Sequence, residues 1–314
     1  MRNSSHPVDK GVRPGRNLLG RMKPAAVSVA LILVILASSA SSLAAVPAPN
    51  ASVGMPIANG TTEIPYGPLR DHRLDIYRTA RPASRGTIVF IHGGGFTTGD
   101  KSEIREVIWA PILAERDNGF DVVSINYRLA SVAPYPAAFD DAALAVSWVM
   151  THGASQGLDT GRVIVVGHSA GGALAAMVGT RPDATTHFGS VPRVDSWVGI
   201  APLLDFRTDE QIGHDFPADW GLSGQIERAF SSPLASLDAT DPPGYLIHGD
   251  HDTVVSVRQS DMFALMGAAS GADVRYDRVD FDPLGRPPAE CLWHLPLCAA
   301  DMVQFDDWLL HRPV

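Results

Sequence analysis

Ser169 stands in Gly167-His168-Ser169-Ala170-Gly171, with Gly172 beyond. The apolar run Val163-Ile164-Val165-Val166 leads into it, and a small, apolar, helix-like segment, Ala170 to Val178, follows at once. That order predicts a sharp strand-to-helix turn. Glycines two residues before and two after the serine remove side chains that would collide there, and the turn projects the hydroxyl out of the sheet. It also leaves the Ala170 N–H at a helix N-terminus, aimed at developing negative charge. Read blandly, the run is a glycine-rich turn. Read chemically, Ser169 is a nucleophile, provided that a base takes its proton and an acid orients the base.

A second run, His92-Gly93-Gly94-Gly95-Phe96, follows the apolar stretch Thr87 to Ile91. Consecutive glycines let a backbone approach a ligand closely and turn N–H groups toward it. Gly94 and Gly95, with Ala170, are the expected donors to an oxyanion, and such a donor contributes about 3 kcal/mol in a transition state. A phosphate-binding loop would carry a lysine or a dinucleotide glycine pattern instead. His92 is expected to shape this loop and not to react. Phe96 and His168 are the candidate substrate contacts.

The base should lie late in the chain, before the closing helix. Of the 11 histidines, His294 does, whereas His311 ends that helix and His248 and His251 flank the candidate acids. The run Tyr245-Leu246-Ile247-His248-Gly249-Asp250-His251-Asp252 offers two aspartates at a strand end. Asp252 is favoured as the acid, with Asp250 as the alternative that braces the turn. Ser169, Asp252 and His294 could carry out two-step acyl transfer with no metal or organic cofactor.

These residues need a scaffold. Candidate strands are Thr62 to Pro65, Arg73 to Arg78, Thr87 to Ile91, Asp121 to Asn126, Val163 to Val166, Ser196 to Ala201, Gly244 to His248 and Val274 to Val279. Candidate helices are Tyr135 to Thr151, Ala170 to Val178 and Asp301 to Leu310, and Thr253-Val254-Val255 leads into another. Alternation of this kind predicts an α/β fold with a mostly parallel central sheet and helices on both faces. Residues 202–240 break the alternation. Rich in Asp, Gly and Pro with Phe206, Phe216, Trp220 and Phe230, they are expected to form a small lid-like insertion.

Residues 1–46 are of a different kind. Six basic residues and one acid precede an uncharged span of 22 residues, Ala25 to Val46, which ends in small side chains. Basic, apolar, then small is the layout of a secretory signal, with cleavage expected after Ala44 and with Ala45 or Ala48 as rival sites. The span is also long enough to serve as an uncleaved membrane anchor. Either way the expected location is secreted or extracytoplasmic. Residues 47–60 then form a flexible linker, and 61–314 the catalytic domain. Without residues 1–44 the chain has 19 Lys+Arg against 33 Asp+Glu, a net charge of −14. So acidic a body excludes nucleic acid as a partner. An oxidising compartment permits a disulfide between the two cysteines, Cys291 and Cys298. They bracket His294, and a bond between them would hold its loop.

Several pieces together resemble the carboxylesterase branch of the α/β-hydrolases, which includes hormone-sensitive-lipase-like esterases and bacterial feruloyl or acetyl esterases. They are Leu74-Asp75-Ile76-Tyr77, His92 to Phe96, Asn126-Tyr127-Arg128-Leu129, Pro136 to Trp148 with Asp140, Gly167 to Gly172, and His248 to Val255. The resemblance spans about residues 62–310. It implies the α/β-hydrolase fold, a triad of Ser169, Asp252 and His294, an oxyanion hole from Gly94, Gly95 and Ala170, and a small-molecule ester as substrate. His248 to Val255 is closer to the feruloyl/acetyl side. A thin cap implies an open pocket for short acyl groups or acylated sugars and aromatics. An arylformamidase or peptidase could use the same residues, and a non-catalytic binding protein could use the same fold.

Overall fold

Strands that are apolar on both faces need cover on both faces, and the sheet receives it. The computed structural model describes residues 60–208, 214–280, 294–297 and 299–311. The expected export segment, most of the linker, and both Cys291 and Cys298 lie outside the described residues. Among the described residues no helix is long and apolar enough to cross a membrane.

The strands are β1 (Gly60–Pro65), β2 (Arg73–Tyr77), β3 (Thr87–Ile91), β4 (Asp121–Ile125), β5 (Val163–His168), the short hairpin β6 (Thr185–Thr186) and β7 (Gly189–Ser190), β8 (Ser196–Ile200), β9 (Gly244–Gly249) and β10 (Val274–Val279). All but the hairpin join one eight-stranded sheet in the order β1-β2-β4-β3-β5-β8-β9-β10. Within this sheet the β1–β2 and β2–β4 pairs are antiparallel and every other pair is parallel. Gly60, expected in the linker, already belongs to β1 and pairs with Tyr77.

The helices are α1 (Ala110–Asn118), α2 (Ala137–His152), α3 (Ala170–Gly179), α4 (Phe216–Asp219), α5 (Gln225–Ser231), α6 (Arg258–Ser270) and α7 (Ala299–His311). Side chains alternate along each strand. Val89 and Ile91 of β3 therefore join the core under α2 and α3. Ile88 and Phe90 join the core on the other face, with Ile112 of α1 and Phe305 and Trp308 of α7. Parallel pairing brings the C-terminal ends of β3, β5, β8 and β9 to one edge, with Ile91 opposite Gly167, His168 opposite Ile200, and Ile200 opposite Ile247. The glycine loop, Ser169 and Asp252 all follow from that edge.

Residues 202–240 hold α4, α5 and a 3₁₀ turn, Pro233–Ser236, and are anchored to the core. Trp220 is fully buried, and its ring stacks on Phe96 with centroids 3.9 Å apart. Arg228 is buried; its Nη2 reaches Asp215 at 2.7 Å and its Nε donates to the Leu222 carbonyl at 2.8 Å.

Glu115 of α1 is buried and hydrogen bonds to Asp306 of α7, while Asn118 Nδ2 donates to its Oε2 at 3.0 Å. Burial, and then the neighbouring Asp306, push the Glu115 carboxyl up to about 8. The folded protein thus holds a proton that the unfolded chain releases. The stability tied to this group is complete below its ordinary value of 4.5 and is lost as pH rises through about 8. Glu115→Gln should therefore raise Tm by a few degrees at pH 8 and scarcely change it at pH 4.5. Equal shifts at both pH values in thermal melts would contradict this.

Candidate active site

Ser169 has φ 54° and ψ −118°, a backbone conformation that non-glycine residues adopt at a cost. It is held there from both sides. Its N–H donates to Ile200 O at 2.9 Å, and its carbonyl accepts from Ala173 N at 3.0 Å in the first turn of α3. Gly171 is required by close approach, because a Cβ there would lie 2.2 Å from Ile91 O and 2.4 Å from His92 O. The same contact sets α3 against the end of β3, which brings the glycine loop beside the serine.

In that loop Gly94, Gly95 and Phe96 have successive φ values of 100°, 59° and 63°. The Gly94 carbonyl is turned away and accepts from Thr97 N and Thr98 N, each at 3.0 Å. The N–H groups of Gly94, Gly95 and Ala170 donate to no protein acceptor among the described residues. Tyr127 braces the loop from beneath. Its hydroxyl lies 3.1 Å from both His92 O and Gly93 O, and its ring stacks on His92 with centroids 4.4 Å apart. Burial holds the His92 imidazole down to about 4, so the neutral ring donates from Nδ1 to Gly93 O at 2.9 Å. His92 shapes the loop.

Asp252 and His294 meet: His294 Nδ1 lies 2.7 Å from Asp252 Oδ2. The carboxylate is buried and takes further donors. Val254 N and Val255 N reach Oδ1 at 2.7 and 3.0 Å, and His248 Nε2 lies 3.2 Å from Oδ2. Burial would raise this carboxyl, but the hydrogen bonds from His248 and His294 outweigh it and hold Asp252 well below the ordinary carboxylate range. An acceptor fixed at Nδ1 leaves His294 Nε2 without a proton, the form a general base needs. Ser169 Oγ and His294 Nε2 are not hydrogen bonded to each other here. The two residues are nonetheless neighbours, since the His168 and His294 rings lie 4.7 Å apart. Asp250 pairs instead with His251 at 2.7 Å, and His311 ends α7.

Of the two expected substrate contacts, Phe96 is placed differently, and His168 is engaged with the base. Phe96 has no exposed surface and stacks on Trp220, so it supports the loop from behind and presents nothing to a ligand. His168 gives its Nε2 to the His294 carbonyl at 2.7 Å. Sequence reasoning also missed His248 as a second imidazole on Asp252, and Tyr127 as the brace of the glycine loop. Both lie inside runs already singled out, but nothing local says which way their side chains turn.

Comparison with known proteins agrees with this geometry. The BD-FAE family profile matches residues 74–266. The chain is similar to the carboxylic ester hydrolase LipN of Mycobacterium tuberculosis, 36% identical over 229 residues, covering 67% of this chain and 60% of that one. It is also similar to an ethyl acetate hydrolase of Pseudomonas putida, 34% identical over 164 residues, covering 51% of this chain and 50% of that one. The chain thus spans only 50–60% of the length of these two relatives. Among solved structures, a truncated carbohydrate esterase from gut microbiota shares the fold at TM-score 0.67 and 23% identity, covering 81% of this chain and 96% of that one. With the profile running from β2 into α6, through the glycine loop, the serine turn and Asp252, the chain belongs to the BD-FAE family, a feruloyl/acetyl-esterase-like group with the α/β-hydrolase fold.

Proposed function

We propose that the protein is a serine carboxylesterase that hydrolyses small or short-acyl esters through an acyl-enzyme on Ser169. The observation that carries this reading is the Asp252–His294 pair at 2.7 Å, with the carboxylate buried and the imidazole partly exposed, set beside a strained serine turn and three backbone N–H groups that are unengaged among the described residues. The names of the similar proteins, a carboxylic ester hydrolase and an ethyl acetate hydrolase, support it.

His294 Nε2 takes the Ser169 proton as Oγ attacks the ester carbonyl carbon. The carbonyl oxygen becomes an oxyanion held by the N–H groups of Gly94, Gly95 and Ala170. On collapse, the alcohol departs with the proton from His294. Water then attacks the acyl-enzyme, gives a proton to the same imidazole, and releases the acid as Oγ regains its proton. The Ser169–His294 hydrogen bond closes when substrate binds, as catalytic bonds are often long in free enzymes. Residues 1–46 are read as an export signal or anchor that puts the domain outside the cytoplasm. A disulfide between Cys291 and Cys298 is read as holding the His294 loop there.

The test is a panel of p-nitrophenyl esters from acetate to octanoate, an arylformamide and a peptide. Acetate to butyrate esters should turn over fastest. Fastest turnover on the arylformamide or peptide would assign the other activity, and fastest turnover on octanoate would contradict an open, thin-capped pocket. The acid side of the pH profile carries a second prediction. Above about pH 4, burial keeps His92 and His168 neutral, and Asp252 remains ionised. With one general base in the mechanism, log(kcat/KM) should fall on the acid side with a slope of one. A slope of two would require another essential group.

A further inference from the structure

His168 lies between Gly167 and the nucleophile, and its ring reaches the residue that serves as the base. Its Nε2 is 2.7 Å from the carbonyl oxygen of His294, and its ring stands at 58° to the His294 ring with centroids 4.7 Å apart. The Trp109 ring packs edge-on against it as well, with centroids 5.0 Å apart. Gly93 makes room for the ring: a Cβ at that position would lie 2.9 Å from His168 Nδ1 and 3.3 Å from Ser169 Cβ. His168 is therefore wedged between the glycine loop, the nucleophile turn and the base.

We propose that His168 is a positioning residue for the general base: its Nε2–H, donated to the His294 carbonyl, fixes the backbone of the base relative to Ser169. This rests on the esterase reading above. The assignment follows from how His294 is held. Asp252 grips the imidazole at Nδ1 and sets the rotation of the ring. His168 grips the same residue at its carbonyl and sets where the ring begins. With both ends held, the position of Nε2 is set relative to the turn that bears Ser169. Because His168 and Ser169 are adjacent in a turn fixed by backbone hydrogen bonds, the tie transmits the position of the nucleophile directly to the base. The donor is constant: burial, and next the nearby His294, hold the His168 imidazole down to about 3, so it stays neutral through the working range. A neutral ring with its proton on Nε2 has the right form to donate to a carbonyl.

Two substitutions separate the donor from the packing. His168→Gln keeps an N–H at similar reach and loses the ring. His168→Phe keeps a ring against Trp109 and loses the donor. If the donor matters, the Phe variant should lose about 10- to 100-fold in kcat, the cost of a base displaced by a fraction of an ångström to 1 Å. KM should change little, and the Gln variant should recover most of kcat. Should the Phe variant fail to fold, His168→Leu replaces it with the same expectation. The opposite order, with Phe active and Gln impaired, would make the ring a packing element and overturn the proposal, as would equal losses in both. A substrate-free readout keeps the two proposals apart. The downfield ¹H resonance of the His294 Nδ1–H bonded to Asp252 should persist in wild type and in His168→Gln and be lost or displaced in His168→Phe. If wild type hydrolyses no ester, the functional reading falls, and this spectrum alone decides the role of His168. An unchanged resonance in His168→Phe would overturn that role.

Discussion

Ser169→Ala should lower kcat/KM on p-nitrophenyl acetate by about 10⁶-fold, the scale seen when a triad nucleophile is removed. Without Oγ no acyl-enzyme forms, and what remains is water attacking a carbonyl polarised by the backbone N–H groups, a residual path worth about 10³–10⁴ over solution. The fold should be unaffected. Ser169 Oγ makes no hydrogen bond among the described residues, and alanine meets the same backbone strain at φ 54° as serine does. Tm should therefore stay within about 2 °C of wild type, since the change removes no packed group or buried hydrogen bond. Circular dichroism and thermal melts check that half of the prediction, and initial rates check the other. Retained activity in a folded Ser169→Ala protein would remove the nucleophile from the account.

The second large effect is on the acid. Asp252→Asn should lower kcat by about 10⁴-fold with KM little changed, through the tautomer of the base and not its position. Asp252 Oδ1 already accepts from Val254 N and Val255 N, so an asparagine keeps its carbonyl oxygen there and presents its amide to His294 Nδ1. Nδ1 must then accept, the proton moves to Nε2, and the imidazole faces Ser169 with a donor where an acceptor is needed. Asp250→Asn is the control. Asp250 pairs with His251 and not with His294, so its loss should change kcat by less than about 10-fold, the range of an indirect effect on a neighbouring turn. A larger loss from Asp250→Asn than from Asp252→Asn would exchange the two roles.

Much of this site was legible because its parts sit where strands end. β3 and β5 announce themselves as unbroken apolar runs, since a strand covered by helices on both faces has no solvent side on which to alternate. The residues directly after them inherit a position at the sheet edge. Asp252 could be preferred to Asp250 because two more residues carry the chain beyond the strand end and into the turn. Other features depend on tertiary partners. α1 reads poorly because its inner face includes Glu115, a charged residue that is buried only because Asp306 of α7 lies against it. Phe96 looks like a pocket residue beside three glycines. It is buried because Trp220, more than a hundred residues later, stacks on it. His168 reads as a substrate contact from its place in the motif, and only the arrival of the His294 carbonyl shows where its Nε2 goes.

The central claim is that Ser169, His294, Asp252 and the loop amides form one reaction centre, and a crystal structure of the protein after reaction with a fluorophosphonate examines all four together. The account predicts a covalent bond from Ser169 Oγ to phosphorus. The phosphoryl oxygen should lie within about 3 Å of the N–H groups of Gly94, Gly95 and Ala170, and His294 should remain bonded to Asp252 beside the adduct. Phosphorus on another residue, or an adduct on Ser169 whose oxygen points away from those three amides, would contradict it.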